Sequence, residues 1–101
     1  MTETELKTLV IDLAKRCGYL WYHVPDSRRV KRGFPDLVLL HVNTGRVLWV
    51  ELKDAKGKLR PEQEVWLRAL QRRSEAFVWR PQDWPTEIRH VLTTDPVAVA
   101  S

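Results

Sequence analysis

The sequence predicts one α/β domain, a mixed β-sheet flanked by helices in the order αβββαβα. Its 101 residues suffice for one sheet with a few covering helices and exclude a second catalytic domain. Segments of helical periodicity alternate with short β-branched or aromatic runs, the pattern of a layered α/β protein. A helical crossover between the third and fourth strands would make those two parallel and right-handed.

Each element has a local cause. Thr2 followed by Glu3 and Glu5 is an N-cap with first-turn acids, and Leu6, Leu9, Val10, Leu13, Ala14 and Cys17 then recur at helical spacing until Gly18 stops the helix. Tyr19 to Val24 is aromatic and β-branched enough for a strand, and Pro25-Asp26-Ser27 opens a basic loop running to Gly33. Asp36 to Val42 is the second strand. Asn43-Thr44-Gly45 turns the chain into Arg46 to Lys53, a third strand whose nearly continuous apolar centre expects cover on both faces. A second loop, Asp54 to Arg60, precedes Pro61 at the first turn of a helix ending by Ser74, with Trp66, Ala69, Leu70 and Arg73 along one side. Ala76 to Arg80 is a fourth strand, and Asp83 is the expected cap of a last helix through Leu92. The domain is expected over 1–92, with 93–101 a flexible tail.

Composition removes several function classes. A hydrophobic fraction of 44% with 30% charged residues suits a folded soluble protein. No apolar run approaches the roughly 20 residues that span a bilayer, and Met-Thr-Glu-Thr-Glu lacks the basic and apolar regions of a signal peptide. A cytoplasmic protein is therefore expected. Cys17 is the single cysteine, so an internal disulfide and a cysteine metal cluster are both excluded. The net charge of +4 permits a polyanionic partner. Its distribution is more telling: Arg28, Arg29, Lys31 and Arg32 crowd one stretch, Lys53, Lys56, Lys58 and Arg60 another, and each stretch adjoins an acidic motif.

Two acids stand where a solvated charge is not expected. Asp36 follows Gly33-Phe34-Pro35 at the start of an apolar strand, and Glu51 interrupts Val47-Leu48-Trp49-Val50 near the end of the next. A hairpin turning near residue 44 places position 36 opposite 51 or 52, making the carboxylates neighbours. Neighbouring carboxylates repel unless something positive lies between them, and a divalent cation resolves the conflict. With oxygen donors, no cysteine cluster and few histidines, magnesium or manganese is the expected ion. Lys53 lies two residues beyond Glu51, on the same strand face, and the combination suits phosphodiester hydrolysis. An acid-x-Lys triplet alone is common, and by itself it is far more often a surface ion pair, with Asp36 capping a turn, than an active site.

The wider pattern is more specific. Phe34-Pro35-Asp36-Leu37-Val38-Leu39, then Val50-Glu51-Leu52-Lys53, resembles the PD-(D/E)xK nuclease superfamily and within it the compact VRR-Nuc branch. That family's order is a helix opening with an acid, G-x-P-D before a strand, E-x-K on the next strand, and a Gln in the first turn of the following helix. Glu3, Gly33 to Asp36, Glu51 to Lys53, and Gln63 are the counterparts here, across residues 2 to about 92. The resemblance implies a restriction-endonuclease-like core and a metal-dependent DNA endonuclease. Asp36, Glu51 and the Leu52 backbone carbonyl would hold Mg²⁺ or Mn²⁺, with Glu3 reaching the ion directly or through water. Lys53 would be the catalytic lysine and Gln63 its helper. Glu5 competes with Glu3 for the helix role, and both could simply complement the helix N-terminus. Many relatives cap the Gln-bearing helix with Ser or Thr, whereas Arg60 stands here, which weakens the Gln63 assignment.

Arg28, Arg29, Lys31, Arg32, Lys56, Lys58 and Arg60 are the expected DNA contacts, placed to neutralise phosphates beside the scissile bond. His23 is set aside, since a lone His is more often packed or on the surface than a ligand. Trp49 and Trp66 belong to the expected core, while Trp21, Trp79 and Trp84 stay open. The resemblance also implies a homodimer acting on branched DNA such as a Holliday junction, because one small domain presents one cleft. Two rivals remain at this point: a relative cutting linear or flap DNA, and a basic module that binds DNA without cutting it.

Overall fold

The computed structural model of the chain describes residues 1–25 and 31–94. Arg28 and Arg29, and the tail from 95 to 101, lie outside the described residues. Helix α1 (Glu3–Arg16) opens on a capping box in which the Glu5 N–H donates to Thr2 Oγ1 at 3.1 Å and the Thr2 N–H donates to Glu5 Oε1 at 2.8 Å. It ends before Gly18, whose φ of +91° suits glycine. Strands β1 (Tyr19–His23), β2 (Leu37–His41) and β3 (Val47–Leu52) form an antiparallel meander, and β4 (Glu75–Trp79) adds parallel to β3 after helix α2 (Pro61–Gln71). The spatial order is β1-β2-β3-β4, so the expected mixed α/β sheet is observed.

Strand alternation divides the side chains between two layers. Leu37, Leu39, Leu48, Val50, Leu52 and Trp79 lie on one sheet face and bury against Leu6, Val10 and Ala14 of α1 and against Ile88 and Leu92 near the C-terminal end. Trp49 and Glu51 lie on the other face, beneath α2, where Phe34 sits edge-on to both Trp49 and Trp66. Trp79 is fully buried and Trp21 is exposed. The side of α2 turned to the sheet is Gln63, Trp66, Leu67 and Leu70; Ala69 and Arg73, expected on it, are exposed. Leu67, not Ala69, falls in line with Gln63 at helical spacing.

The C-terminal end departs from one continuous helix. Pro81–Asp83 is a 3₁₀ turn, Trp84–Ile88 a π-helical turn, and α3 (Arg89–Thr93) completes it, one residue beyond the expected domain end. Asp83 does not cap the last helix. Its Oδ2 accepts the Arg80 N–H at 2.9 Å, which commits the carboxylate one turn earlier. Among the described residues no helix is long and apolar enough to cross a membrane.

Arg46 ties the far end of the sheet together. Its Nε and Nη2 donate to the two Glu75 carboxylate oxygens at 2.7 Å each, and Nη1 donates to Tyr19 Oη at 3.3 Å and to the Val91 carbonyl at 3.1 Å. Arg46→Ala is expected to lower stability by ~2 kcal/mol, mostly through the stranded Tyr19 and Val91 groups, because the half-exposed Glu75 is screened by water. The Arg46 guanidinium holds the Glu75 carboxyl below its ordinary 4.5. This share of stability is therefore present above about pH 4.5 and lost as pH falls through the lowered value, so melts of wild type and variant should converge in acid.

Candidate active site

The hairpin register builds the site. Pairing of Leu37 with Val50, continued by one residue, sets Asp36 opposite Glu51, and continued by two sets Pro35 opposite Leu52. The His41 N–H donates to the Arg46 carbonyl at 2.8 Å, so odd-numbered residues of β2 are those that exchange ladder bonds with β3, and position 35 would be the next. Proline has no N–H to give, which leaves the Leu52 carbonyl without a ladder donor. The Leu52 N–H turns instead to Asp36 Oδ2, at 2.9 Å. One proline thus frees the Leu52 carbonyl at the end of the sheet and ties the Asp36 carboxylate beside it.

Glu51 is 4% exposed, and its two oxygens differ. Gln63 Nε2 donates to Oε2 at 3.0 Å and Lys53 Nζ lies 3.9 Å from the same oxygen, whereas buried Oε1 has no hydrogen-bond partner. Burial pushes the Glu51 carboxyl up to about 9, the Asp36 carboxylate beside it adds to the shift, and the Lys53 ammonium offsets part of it. Lys53 is held in turn by its N–H, which donates to the Trp79 carbonyl at 3.0 Å. Gln63 makes good the missing cap at Arg60: its Oε1 accepts the Arg60 N–H at 2.8 Å while its amide nitrogen holds Glu51. Arg60 therefore gives the helix no side-chain cap, and Gln63 stays in the site.

The two acids of the first turn of α1 separate. Glu5 is spent in the capping box with Thr2, and Glu3 faces the cleft, its carboxyl raised by partial burial and by Asp36. Glu3, Asp36, Glu51, Leu52, Lys53, Gln63, Lys31, Arg32 and Arg60 all line one cleft of about 480 Å³. Lys56 and Lys58 stand on the exposed loop beside it and do not line it. That loop is fastened by Arg80 Nη2, which donates to the Gly57 carbonyl at 2.9 Å, and by Gln82 Nε2, which donates to the Ala55 carbonyl at 3.1 Å. Gly33 has a φ of +90°, and a Cβ there would come within 2.4 Å of the Glu62 carbonyl oxygen. Only glycine lets the Lys31–Phe34 segment lie against the start of α2.

Lys7 and His23 also line the cleft; the sequence gives His23, at the end of the first strand, no role there, and does not single out Lys7. Lys7 follows Glu3 by four residues on α1, the spacing that puts both on one helix face. His23 ends β1, whose next residue, Val24, donates its N–H to the Asp36 carbonyl at 2.8 Å.

Residues 5–82 match the VRR-NUC domain as a sequence family. The chain belongs to the VRR-NUC family. A solved structure named as a VRR_NUC domain protein covers 91% of this chain and 85% of its own at a TM-score of 0.65, with 24% identity, a likeness that shows the fold. None of the curated proteins matches the chain. The VRR-NUC match makes this a nuclease-like domain, and it includes every cleft residue named above except Glu3, which precedes the matched span.

The donor set suits a hard divalent cation: Asp36, the unpartnered Glu51 Oε1 and the Leu52 carbonyl supply oxygen at one sheet end. Among the described residues no three His, Cys, Asp or Glu side chains form a ready metal-holding group. Water would therefore complete the coordination, as Mg²⁺ commonly requires.

Proposed function

We propose that this VRR-NUC protein is a Mg²⁺- or Mn²⁺-dependent endodeoxyribonuclease that hydrolyses phosphodiester bonds on branched DNA, Holliday junctions foremost, as a homodimer in the cytoplasm. The observation that carries the reading is the buried, unpartnered Glu51 Oε1 beside Asp36, with Lys53 two residues along the same face. When bound, a divalent cation supplies Lewis acidity toward the phosphate and a water of lowered pKa. Asp36, Glu51 and the Leu52 carbonyl would hold it. Gln63 fixes Glu51 Oε2 and leaves Oε1 without a donor, and Glu3 would reach the same centre directly or through water. Lys53 orients the attacking water and stabilises the negative charge that gathers on the phosphate oxygens in the transition state. Lys31, Arg32 and Arg60 line the approach and seat flanking phosphates, with Arg28, Arg29, Lys56 and Lys58 adding longer-range attraction.

Pairing is supported by the half of the sheet that α2 does not cover. There Leu20 and Tyr22 of β1 are 58% and 60% exposed beside exposed Leu40 of β2, an apolar face at a sheet edge. Two copies joined there would present two clefts to two strands.

The test is cleavage of end-labelled four-way junction, linear duplex, flap and single strand with Mg²⁺ or Mn²⁺, alongside the mass of the protein in solution. Paired cuts on the junction by a dimer support the whole proposal. Equal cutting of all substrates removes the junction preference, and binding without cutting under either ion removes the enzyme.

A further inference from the structure

From Lys7 and His23 we infer a second phosphate seat, on the opposite wall of the cleft from Lys31, Arg32 and Arg60, holding the DNA strand on the α1 side of the scissile phosphate. The inference rests on the nuclease reading above and extends it to a contact that the motif residues do not include. Both side chains line the cleft and both are half-buried. Among the described residues neither makes a side-chain hydrogen bond or an ion pair. On the facing wall Arg32 is held by Glu62 at 3.7 Å, whereas Lys7 and His23 are turned to the cleft without such a tie. Lys7 feels the Glu3 carboxylate one turn away but forms no ion pair with it, and a half-buried lysine so placed is suited to an anion that arrives from outside.

Placement fixes which part of the DNA this would be. His23 pairs across the ladder with Leu37, whose side chain is buried on the α1 face, whereas Asp36 and Glu51 lie on the α2 face. Lys7, one turn along α1 from Glu3, stands on the same side as His23. The carboxylates therefore lie between two basic walls, Lys7 with His23 on one and Lys31, Arg32 and Arg60 on the other. A strand crossing the sheet end would be gripped on both sides of the reacting phosphate, by charge and without base reading, so the contact is sequence-independent.

The double variant Lys7→Gln with His23→Gln separates this seat from the metal site. Binding of a fluorescent DNA by anisotropy, in EDTA and across a salt series, is expected to weaken about tenfold, with the slope of log K against log salt falling by about one. In cleavage the same variant should show a raised KM with kcat nearly kept. Lys15→Gln, at the far end of α1, should match wild type in both, and thermal melts confirm that each variant is folded. An unchanged slope and affinity in the double variant, while wild type binds or cuts DNA, overturns the seat and leaves the nuclease intact. Absence of salt-dependent DNA binding by wild type overturns both together.

Discussion

Glu51→Gln is expected to abolish cleavage and at the same time raise the melting temperature of the cation-free protein. Glu51 is buried with one oxygen unpartnered, and its carboxyl is pushed up to about 9 from an ordinary 4.5. The unfolded chain releases that proton near pH 4.5 and the folded chain keeps it until about pH 9, so the fold's advantage is full below 4.5 and is lost as pH rises through the raised value. An amide of the same shape has no proton to lose. The variant's gain should therefore be negligible in acid and grow toward pH 8.5, where ~2 kcal/mol is a reasonable scale, equal to roughly 10 °C in Tm for a domain of this size. Activity should fall by ~10³-fold or more, as when a group that stabilises charge in the transition state is removed. Melts in EDTA at pH 5 and 8.5 check the first half. A variant less stable than wild type at pH 8.5 would contradict the account of Glu51 as an uncompensated buried acid.

Lys53→Met is expected to lose activity while keeping DNA affinity. The Lys53 side chain is 14% exposed and its ammonium lies 3.9 Å from Glu51 Oε2, so it is committed to the site and is one positive charge among many near the DNA. Single-turnover cleavage should slow by ~10²–10³-fold, the range for removing one charge-stabilising donor. DNA binding in EDTA should change by less than the loss of one full phosphate contact, with a salt slope shifted by well under the ~0.9 that one such contact carries. Arginine should not restore the rate, because its planar fork is larger than the point charge it replaces. A proportionate loss of affinity and rate would make Lys53 a DNA contact and not part of the reacting centre.

Much of this site was legible in the chain because a hairpin converts sequence spacing into spatial opposition. A turn centred near residue 44 is enough to set Asp36 against Glu51, and a period of two is enough to put Lys53 beside Glu51. The first helix, the four strands and the crossover follow likewise from local periodicity and from Gly18, Gly45 and Pro61. What was not drawn from the chain was partly local and partly tertiary. The choice between Glu3 and Glu5 was in fact local, since Thr2-x-x-Glu5 has the spacing of a capping box that consumes Glu5 and leaves Glu3 to the cleft. Leu67 rather than Ala69 faces the sheet because the direction of α2 is set by the Gln63 bridge and the Phe34–Trp66 contact. Asp83 serves Arg80 instead of the last helix because Pro81 begins a 3₁₀ turn first. Lys7 carried a readable signal, four residues after Glu3, and His23 another, its place at the end of β1, although a lone His gave no ground for a role.

The most direct test of the central claim is cleavage of a labelled DNA junction by wild type in Mn²⁺ and in EDTA, beside Asp36→Asn in Mn²⁺. The account predicts cutting by wild type that requires the ion and disappears in the variant, although the variant still binds DNA. Cutting that persists in EDTA or in Asp36→Asn would contradict it, since the reaction would then not pass through the site that Asp36, Glu51 and Lys53 form.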